Sequence, residues 1–403
     1  MLFQTLDDKS SCVGIYADHD LFFDEESFPA PLTKTWAPAP YLRGLPVEYA
    51  SLYLEGAPVR ERVPEYLQED WEDALRRLEA FRRSLSTAQV DMHENCFFDL
   101  VPTRFLRDFC EVKNKITQHI LATVKKPARY EYYKHLSFLL QDIQDRPISL
   151  NKRVLNSYAA DPKLGRQAQR IMDCSPYVKY NMFGTKTGRL TTAPKTLPIL
   201  TLPATLRSAI LPQNDFFVEL DFNGAEVRTL LGLLGKDQPL GDVHKFHQEH
   251  IFQGKLTREQ CKQAFFAWLY GSSSAVNQGE SAMLATFYEK DNLLDRFWVN
   301  GEVRTPYRRC MAGVDKHHAL NYLVQSTAAE LCLKQALKID HLLRTRSQGS
   351  HVAFLIHDAI IIDLKKEDED LLSSMELLMQ STNFGTFVVN RKKGKTLGGL
   401  NAF

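Results

Sequence analysis

Two stretches far apart in this chain lead apolar β-strand patterns into an aspartate, and one shared sheet would bring the two acids together. Phe216-Phe-Val-Glu-Leu220 is a short apolar run ending on Asp221. Val352-Ala-Phe-Leu-Ile356 and Ile360-Ile-Ile-Asp-Leu364 flank His357-Asp358-Ala359, which predicts a hairpin with an acid at its tip. Taken alone, each aspartate reads as a strand-end or turn residue. As a pair that leaves positions open for water and a phosphate, they suit Mg²⁺, which prefers octahedral oxygen ligation and gives up water reluctantly.

Between these strands, residues 258–271 place Arg258, Lys262, Phe266 and Tyr270 four residues apart. On an α-helix that spacing is one face, a stripe about 18 Å long with charge at one end and flat rings at the other. Cations suit phosphates and aromatic faces suit a base, so the stripe fits a nucleoside triphosphate. An amphipathic core helix is the competing reading of the same segment. Joined to the two aspartates, it reads as part of a phosphoryl-transfer site.

With 403 residues and 44% hydrophobic content, the chain can bury one large core or two to three smaller ones. The net charge of +1 says nothing about partners, but its distribution does. Residues 1–30 carry seven acids against Lys9, whereas residues 151–210 carry ten Lys and Arg against Asp161 and Asp173. A basic stripe of that density is the footprint expected where a polyanion lies. Seven scattered cysteines without a CxxC pair fit reduced, intracellular thiols. No basic leader and no bilayer-length apolar run is present, so a cytoplasmic setting without membrane contact is expected, in a bacterial or virus-infected bacterial cell.

Residues 1–64 read as a small irregular segment with one strand, Cys12-Val-Gly-Ile-Tyr16, and residues 65–144 as helical. Residues 145–215 are basic and broken by Pro147, Pro194, Pro198 and Pro203, which predicts extended segments. A helix that Asn223 caps is expected after Asp221, and residues 241–298 read as mostly helical.

Five segments in order resemble the polymerase module of the bacterial DNA polymerase I family, family A. Leu220-Asp221-Phe-Asn-Gly-Ala-Glu226-Val-Arg228 is similar to its first motif, Arg258-x3-Lys262-x3-Phe266-x3-Tyr270-Gly271 to its nucleotide-binding helix, and Ile356-His357-Asp358 to its third motif. Thr187-Gly188-Arg189-Leu190-Thr191-Thr192 resembles the TGRLSS segment, and Asn321-x3-Gln325-x-Thr327-Ala328-Ala329 the N-x3-Q-x-T-A-A helix. The match runs from about residue 180 to the C-terminus.

The resemblance implies an α+β right-hand polymerase: a helical thumb at 65–150, palm segments at 151–231 and 301–403 with an antiparallel sheet, helical fingers at 232–300, and a cap or docking segment at 1–64. It implies primer–template DNA and dNTPs as partners, and two Mg²⁺ ions on Asp221 and Asp358, with Mn²⁺ as a substitute. Arg258 and Lys262 would grip phosphates, with Lys262 acting also in catalysis, and His244 of Asp242-Val-His244 would reach the triphosphate. Phe266 and Tyr270 would pack at the sugar and templating base, and Glu226 would crowd the sugar C2′ position and exclude a 2′-hydroxyl. Arg189, Asn321, Gln325 and His357 would touch primer or template through minor-groove acceptors shared by every base pair.

Three departures from the family stand out. Ala359 follows Asp358 where a Glu is common, His317 stands where Arg is usual, and the stretch from Gly271 to the Gly301-Glu-Val-Arg304 segment is short. A proofreading domain needs more chain than separates Asp18-His19-Asp20 from Tyr66-x3-Asp70, so a separate exonuclease or processivity subunit is the expected source of such functions. Alternatives remain open: a single-subunit RNA polymerase, against which Glu226 argues, and an inactive DNA-binding scaffold, against which both aspartates, Arg258 and Lys262 argue. Asp242, His244, His247 and His250 also fall at helical spacing and offer a transition-metal reading, though no cysteine adjoins them. Arg391-Lys-Lys-Gly-Lys395 reads as a DNA-phosphate contact or a solvated loop.

Overall fold

The N-terminal stretch holds more strand than its pattern predicts. A computed structural model describes residues 1–9, 11–92, 94–271 and 278–403, and they divide into two units, Met1–Asp145 and Arg146–Phe403. In the first, β1 (Phe3–Asp8), β2 (Ser11–Ala17) and β3 (Asp20–Phe22) form an antiparallel meander where one strand is expected. Gln4 is what hides β1: it is buried in the strand, where its Nε2 donates to Asn114 Oδ1 at 2.9 Å and Thr117 Oγ1 at 3.1 Å. An interior glutamine whose amide nitrogen is bonded in this way breaks the apolar pattern without breaking the strand. The helices expected over 65–144 are α1 (Glu65–Thr87), α2 (Thr103–Thr123) and α3 (Tyr130–Gln144).

In the second unit the proline-broken stretch is partly helical. Residues 145–215 are not wholly extended: α4 (Lys152–Ser157) and α5 (Leu164–Asp173) form there. α4 starts on a side-chain cap, and an aspartate in the turn ahead of α5 leads into that helix. Asn151 Oδ1 accepts from the amides of Arg153 and Val154, and Asp161 Oδ1 from those of Lys163 and Leu164.

Beyond them run β4 (Phe216–Phe222), α6 (Ala225–Leu233), α7 (Val243–His250), α8 (Arg258–Tyr270), α9 (Gln278–Phe287) and α10 (Lys290–Phe297). A small sheet of β5 (Trp298–Val299), β6 (Glu302–Arg304) and β7 (Cys310–Ala312) leads to the long α11 (Lys316–Arg346). The hairpin β8 (His351–Ile356) and β9 (Ala359–Leu364), then α12 (Leu372–Gln380), β10 (Val389–Gly394) and β11 (Asn401–Ala402) complete the unit. The main sheet has the order β8-β9-β4-β10-β11, with every neighbouring pair antiparallel. Part of the stretch between Gly271 and Gly301, residues 272–277, lies outside the described residues.

Two local expectations fail for steric and electrostatic reasons. Asn223 does not cap α6, because Gly224 precedes that helix at φ +70°, a left-handed step that glycine takes without strain. A Cβ at Gly224 would stand 2.4 Å from Val243 Cγ2. The Asn223 side chain instead accepts from the Val243 amide at 3.3 Å. The run from Arg391 is not a loop up to Gly394 but part of β10. Its charges meet acids from elsewhere: Arg391 with Glu376 at 2.9 Å, Lys392 with Glu219 at 2.6 Å and Lys393 with Glu369 at 2.8 Å.

One apolar core fixes the helices relative to each other. Val227, Leu230 and Leu231 of α6 meet Phe265, Trp268 and Leu269 of α8, Leu293 and Leu294 of α10, and Leu320, Leu323 and Val324 of α11. Tyr288 and His247 are fully enclosed beside them and share a 2.6 Å hydrogen bond. His244 is buried too, whereas His250 is exposed and stacks on Phe246. His244 and His247 thus adjoin, with ring centroids 5.4 Å apart, and among the described residues no group of His, Cys, Asp or Glu could hold a metal ion as three or more ligands. Among the same residues no helix is long and apolar enough to cross a membrane.

Burial, first of all, pushes His244 down to about 4 and His247 down to about 3 from 6.5. Folding thus weakens proton binding at both rings, so stability is full above about pH 6.5 and is lost as pH falls toward the folded values, by roughly 2 kcal/mol per ring at pH 5. Acidification from about pH 7.5 to about pH 5 should lower the melting temperature, and His247→Gln should lose less on the same change. Equal losses in the two proteins would place the effect elsewhere.

Candidate active site

Strand pairing brings the two predicted acids together. Asp221 on β4 lies opposite Ala359 on β9 and opposite Asn390 on β10, and Asp358 is the residue before Ala359 in the two-residue turn of the β8-β9 hairpin. That turn puts His357 at φ +55°, the positive value a tight hairpin requires at its first central position. Burial, then the neighbouring Asp358 charge, then Glu219, push the Asp221 carboxyl up to about 7. Burial also raises Asp358, with Glu219 adding to it. Among the described residues, the side-chain donor to Asp221 is Asn390 Nδ2, at 3.5 Å.

The donor chemistry fits a hard divalent cation. Two oxygen-ligand carboxylates on adjacent strand ends repel each other and gain from any cation between them, and their small number leaves positions for water and phosphate oxygens. Glu219 was missed by sequence reasoning, although period-two alternation places it on the same face of β4 as Asp221.

The helix α8 is bounded as its residues demand. Thr257 caps it with a reciprocal bond from Gln260, and Gly271 closes it at φ +74°. Cys261, Ala264, Phe265, Trp268 and Leu269 are buried, which turns Arg258, Lys262, Phe266 and Tyr270 outward on the other face. Phe266 and Tyr270 stack with centroids 5.9 Å apart and planes 13° apart. Lys262 is exposed. Arg258 is not free: its Nη2 and Nε donate to the two oxygens of Asp242 at 2.6 and 3.1 Å, and Nη1 donates to Glu259. His317 accounts for one departure, since its Nε2 sits 3.3 Å from the Gly271 carbonyl, against the end of this helix.

Glu226 is 7% exposed and held from two sides. Arg189 Nη2 donates to its Oε1 at 2.6 Å, and the Tyr270 hydroxyl lies 3.1 and 3.0 Å from its two oxygens. Burial raises its pKa, and the Arg189 charge opposes that. Gly188, at φ +77°, lets Arg309 cover the loop before Arg189: a Cβ there would be 2.2 Å from Arg309 Nη2. Arg309 is a second residue that sequence reasoning did not single out.

Arg189, Glu226, Phe266, Tyr270, His357 and Asp358 line one cleft of about 660 Å³, within the size range of ligand sites. Asn321 and Gln325 lie on α11, half-buried, and neither lines that cleft. The Asn321 Oδ1 is buried without a hydrogen-bond partner among the described residues. His244 Nδ1 is likewise buried and unpartnered there, with its ring against Phe265 and Phe266.

No protein-family model matches this sequence, and no curated protein matches it. Among solved structures, the polymerase domain of Pol1 from Mycobacterium smegmatis, in complex with DNA primer-template and dNTP, superposes with a TM-score of 0.58 at 12% sequence identity, covering 74% of this chain and 76% of that one. At that identity the likeness shows the fold, and the chain is an α+β protein with the fold of a DNA polymerase domain.

Proposed function

We propose that this chain is a template-directed DNA polymerase that extends a primer 3′-hydroxyl with dNTPs and releases pyrophosphate. The observation that carries the reading is the single cleft lined by Asp358, Glu226 and the aromatic end of α8, with Asp221 on the strand beside Asp358. The neighbour of like fold was solved with primer-template and dNTP, which agrees with these ligands. In this reading residues 65–150 act as thumb, 151–231 and 301–403 as palm, and 232–300 as fingers. Residues 1–64 act as a cap or docking segment.

Asp221 and Asp358 would hold two Mg²⁺ ions, or Mn²⁺ in their place. Bound there, such ions supply a lowered pKa for the attacking hydroxyl and charge neutralisation at the phosphates. The remaining work falls to side chains. Arg258, Lys262 and His244 bind the triphosphate, Phe266 and Tyr270 pack at sugar and base, and Arg189, Asn321, Gln325 and His357 contact the DNA. Glu226, clamped by Arg189 and Tyr270, is a rigid wall at the sugar C2′ position, which favours deoxynucleotides over an RNA polymerase's substrates.

Primer extension with Mg²⁺ tests the reading directly. Asp221→Asn should slow extension by at least about a hundredfold, since metal-borne charge stabilisation is worth several kcal/mol; an unaltered rate would discredit the site. Glu226→Ala should ease ribonucleotide incorporation, on the order of ten- to a hundredfold, the range one steric contact supports. An unchanged sugar preference would place the gate elsewhere. Lys163 at the N-cap of α5 and Arg166 and Arg170 on it form an exposed row, spaced three and four residues apart. If that row lies on duplex phosphates, Arg166→Ala with Arg170→Ala should reduce the slope of log affinity against log salt by about 2. A slope equal to that of the unaltered protein would remove α5 from the DNA contact.

A further inference from the structure

Three elements that carry the proposed nucleotide contacts meet at one residue that has no assigned role, Asp242. The convergence starts on α6, where Arg228 is fully buried and donates only to backbone carbonyls among the described residues: Nε to Asn223 at 2.8 Å, Nη1 to Pro239 at 2.8 Å and Nη2 to Gly241 at 2.7 Å. A buried guanidinium that lost these acceptors would be left costly and unpaired, so the loop ending at Gly241 is held firmly to α6. The next residue is Asp242. Its Oδ1 accepts from the amides of His244 and Lys245 at 2.9 and 3.0 Å and so caps α7. The same carboxylate receives Arg258 of α8 through two parallel bonds.

The geometry of that pair decides what it does. Asp242 occupies the Nε–Nη2 edge of the guanidinium, the side edge, in the fork arrangement that fixes a guanidinium plane. The end edge, between Nη1 and Nη2, points elsewhere and meets only the exposed Glu259 among the described acids. A phosphate approaching the end edge competes with a surface carboxylate and not with Asp242. The burial of Asp242 works against its ionisation, but the Arg258 bonds and the α7 amides outweigh it and keep it ionised.

We propose that Asp242 is the positioning residue of the triphosphate subsite: it fixes the plane of the Arg258 guanidinium and the start of the His244 helix to the α6 segment that carries Glu226. This rests on the polymerase reading above. Its effect is preorganisation, since a guanidinium already held in plane loses less freedom when a phosphate binds.

Asp242→Asn separates this role from simple capping, because asparagine caps a helix as well as aspartate but lacks the charge and the second acceptor oxygen. In steady-state primer extension, Asp242→Asn should raise the dNTP KM about tenfold, the loss of one charge-assisted bond, with kcat and primer-template affinity within about threefold of the unaltered protein. Arg258→Lys, which cannot make the two-point contact, should raise KM as well, and adding Asp242→Asn to it should raise KM no further. Glu259→Gln should not raise KM. The assignment is overturned if the two effects multiply, if the KM of Asp242→Asn is unchanged or falls, or if Glu259→Gln reproduces it. A thermal melt and far-ultraviolet circular dichroism show whether each variant folds; should Asp242→Asn fail to fold, Asp242→Ser, which keeps a cap without a carboxylate, carries the same expectations. If the unaltered protein extends no primer, the polymerase reading falls and this assignment with it; if it extends normally and the variants disagree with these expectations, the assignment alone falls.

Discussion

The register between β4 and β9 is the constraint on which the rest of the site depends. Side chains alternate faces along a strand, so a slip of one residue would turn Asp221 away from Asp358 and undo the cleft. Ile360, Ile361, Ile362 and Leu364 are completely buried, which holds β9 in the sheet at roughly 1.5–3 kcal/mol per side chain, and a buried acid pins its register. Asp363, 2% exposed, accepts from the amides of Gln213 and Asn214 at 2.7 and 3.0 Å. A slip would bury that charge without partners, a penalty comparable to the whole stability of an ordinary domain.

Asp363 also shows what is unusual about Asp221 and Asp358. Asp221 and Asp363 lie on paired strands and Asp358 in the adjoining turn, yet Asp363 has two well-placed amide donors, while among the described residues the side-chain donor to Asp221 is 3.5 Å away. An interior carboxylate that folding leaves without strong donors is costly to ionise, and a second one beside it raises the cost. A fold retains such a pair where something cationic completes it. That is why the electrostatics of the pair, more than the presence of two aspartates, supports the proposed metal chemistry.

What was legible in the sequence shares one property: a periodic pattern ended by a residue with a backbone role. The β8-β9 hairpin and α8 were read correctly because apolar runs and the four-residue row end at His357-Asp358 and at Gly271. The failures have the opposite character. Gln4 lies inside a strand as a buried polar residue, and α4 and α5 are short helices whose starts are set by side-chain bonds from Asn151 and Asp161 within a proline-broken, basic stretch. Asn223 looked like a cap because nothing in the sequence announces that the next residue adopts φ +70°. Arg228, Glu219 and the cations from Arg391 were misread or overlooked because their partners are carbonyls and acids distant in the chain, which composition and local spacing do not reveal.

Helix α8 explains why the site's chemical residues were easier to find than their supports. Its orientation is set by Phe265, Trp268 and Leu269, which face an apolar core and leave the opposite face free. The ends of that free face are tied by polar contacts, Arg258 to Asp242 and Tyr270 to Glu226, and both partners belong to the segment following β4. Apolar burial therefore fixes where the helix lies, while charge-matched contacts fix how its functional groups point. The first task accepts many side chains of suitable volume; the second needs particular donors and acceptors. A stripe of Arg, Lys, Phe and Tyr is consequently visible in one sequence, whereas the carboxylate that aims its arginine becomes visible only when the loop held by Arg228 delivers Asp242 to it.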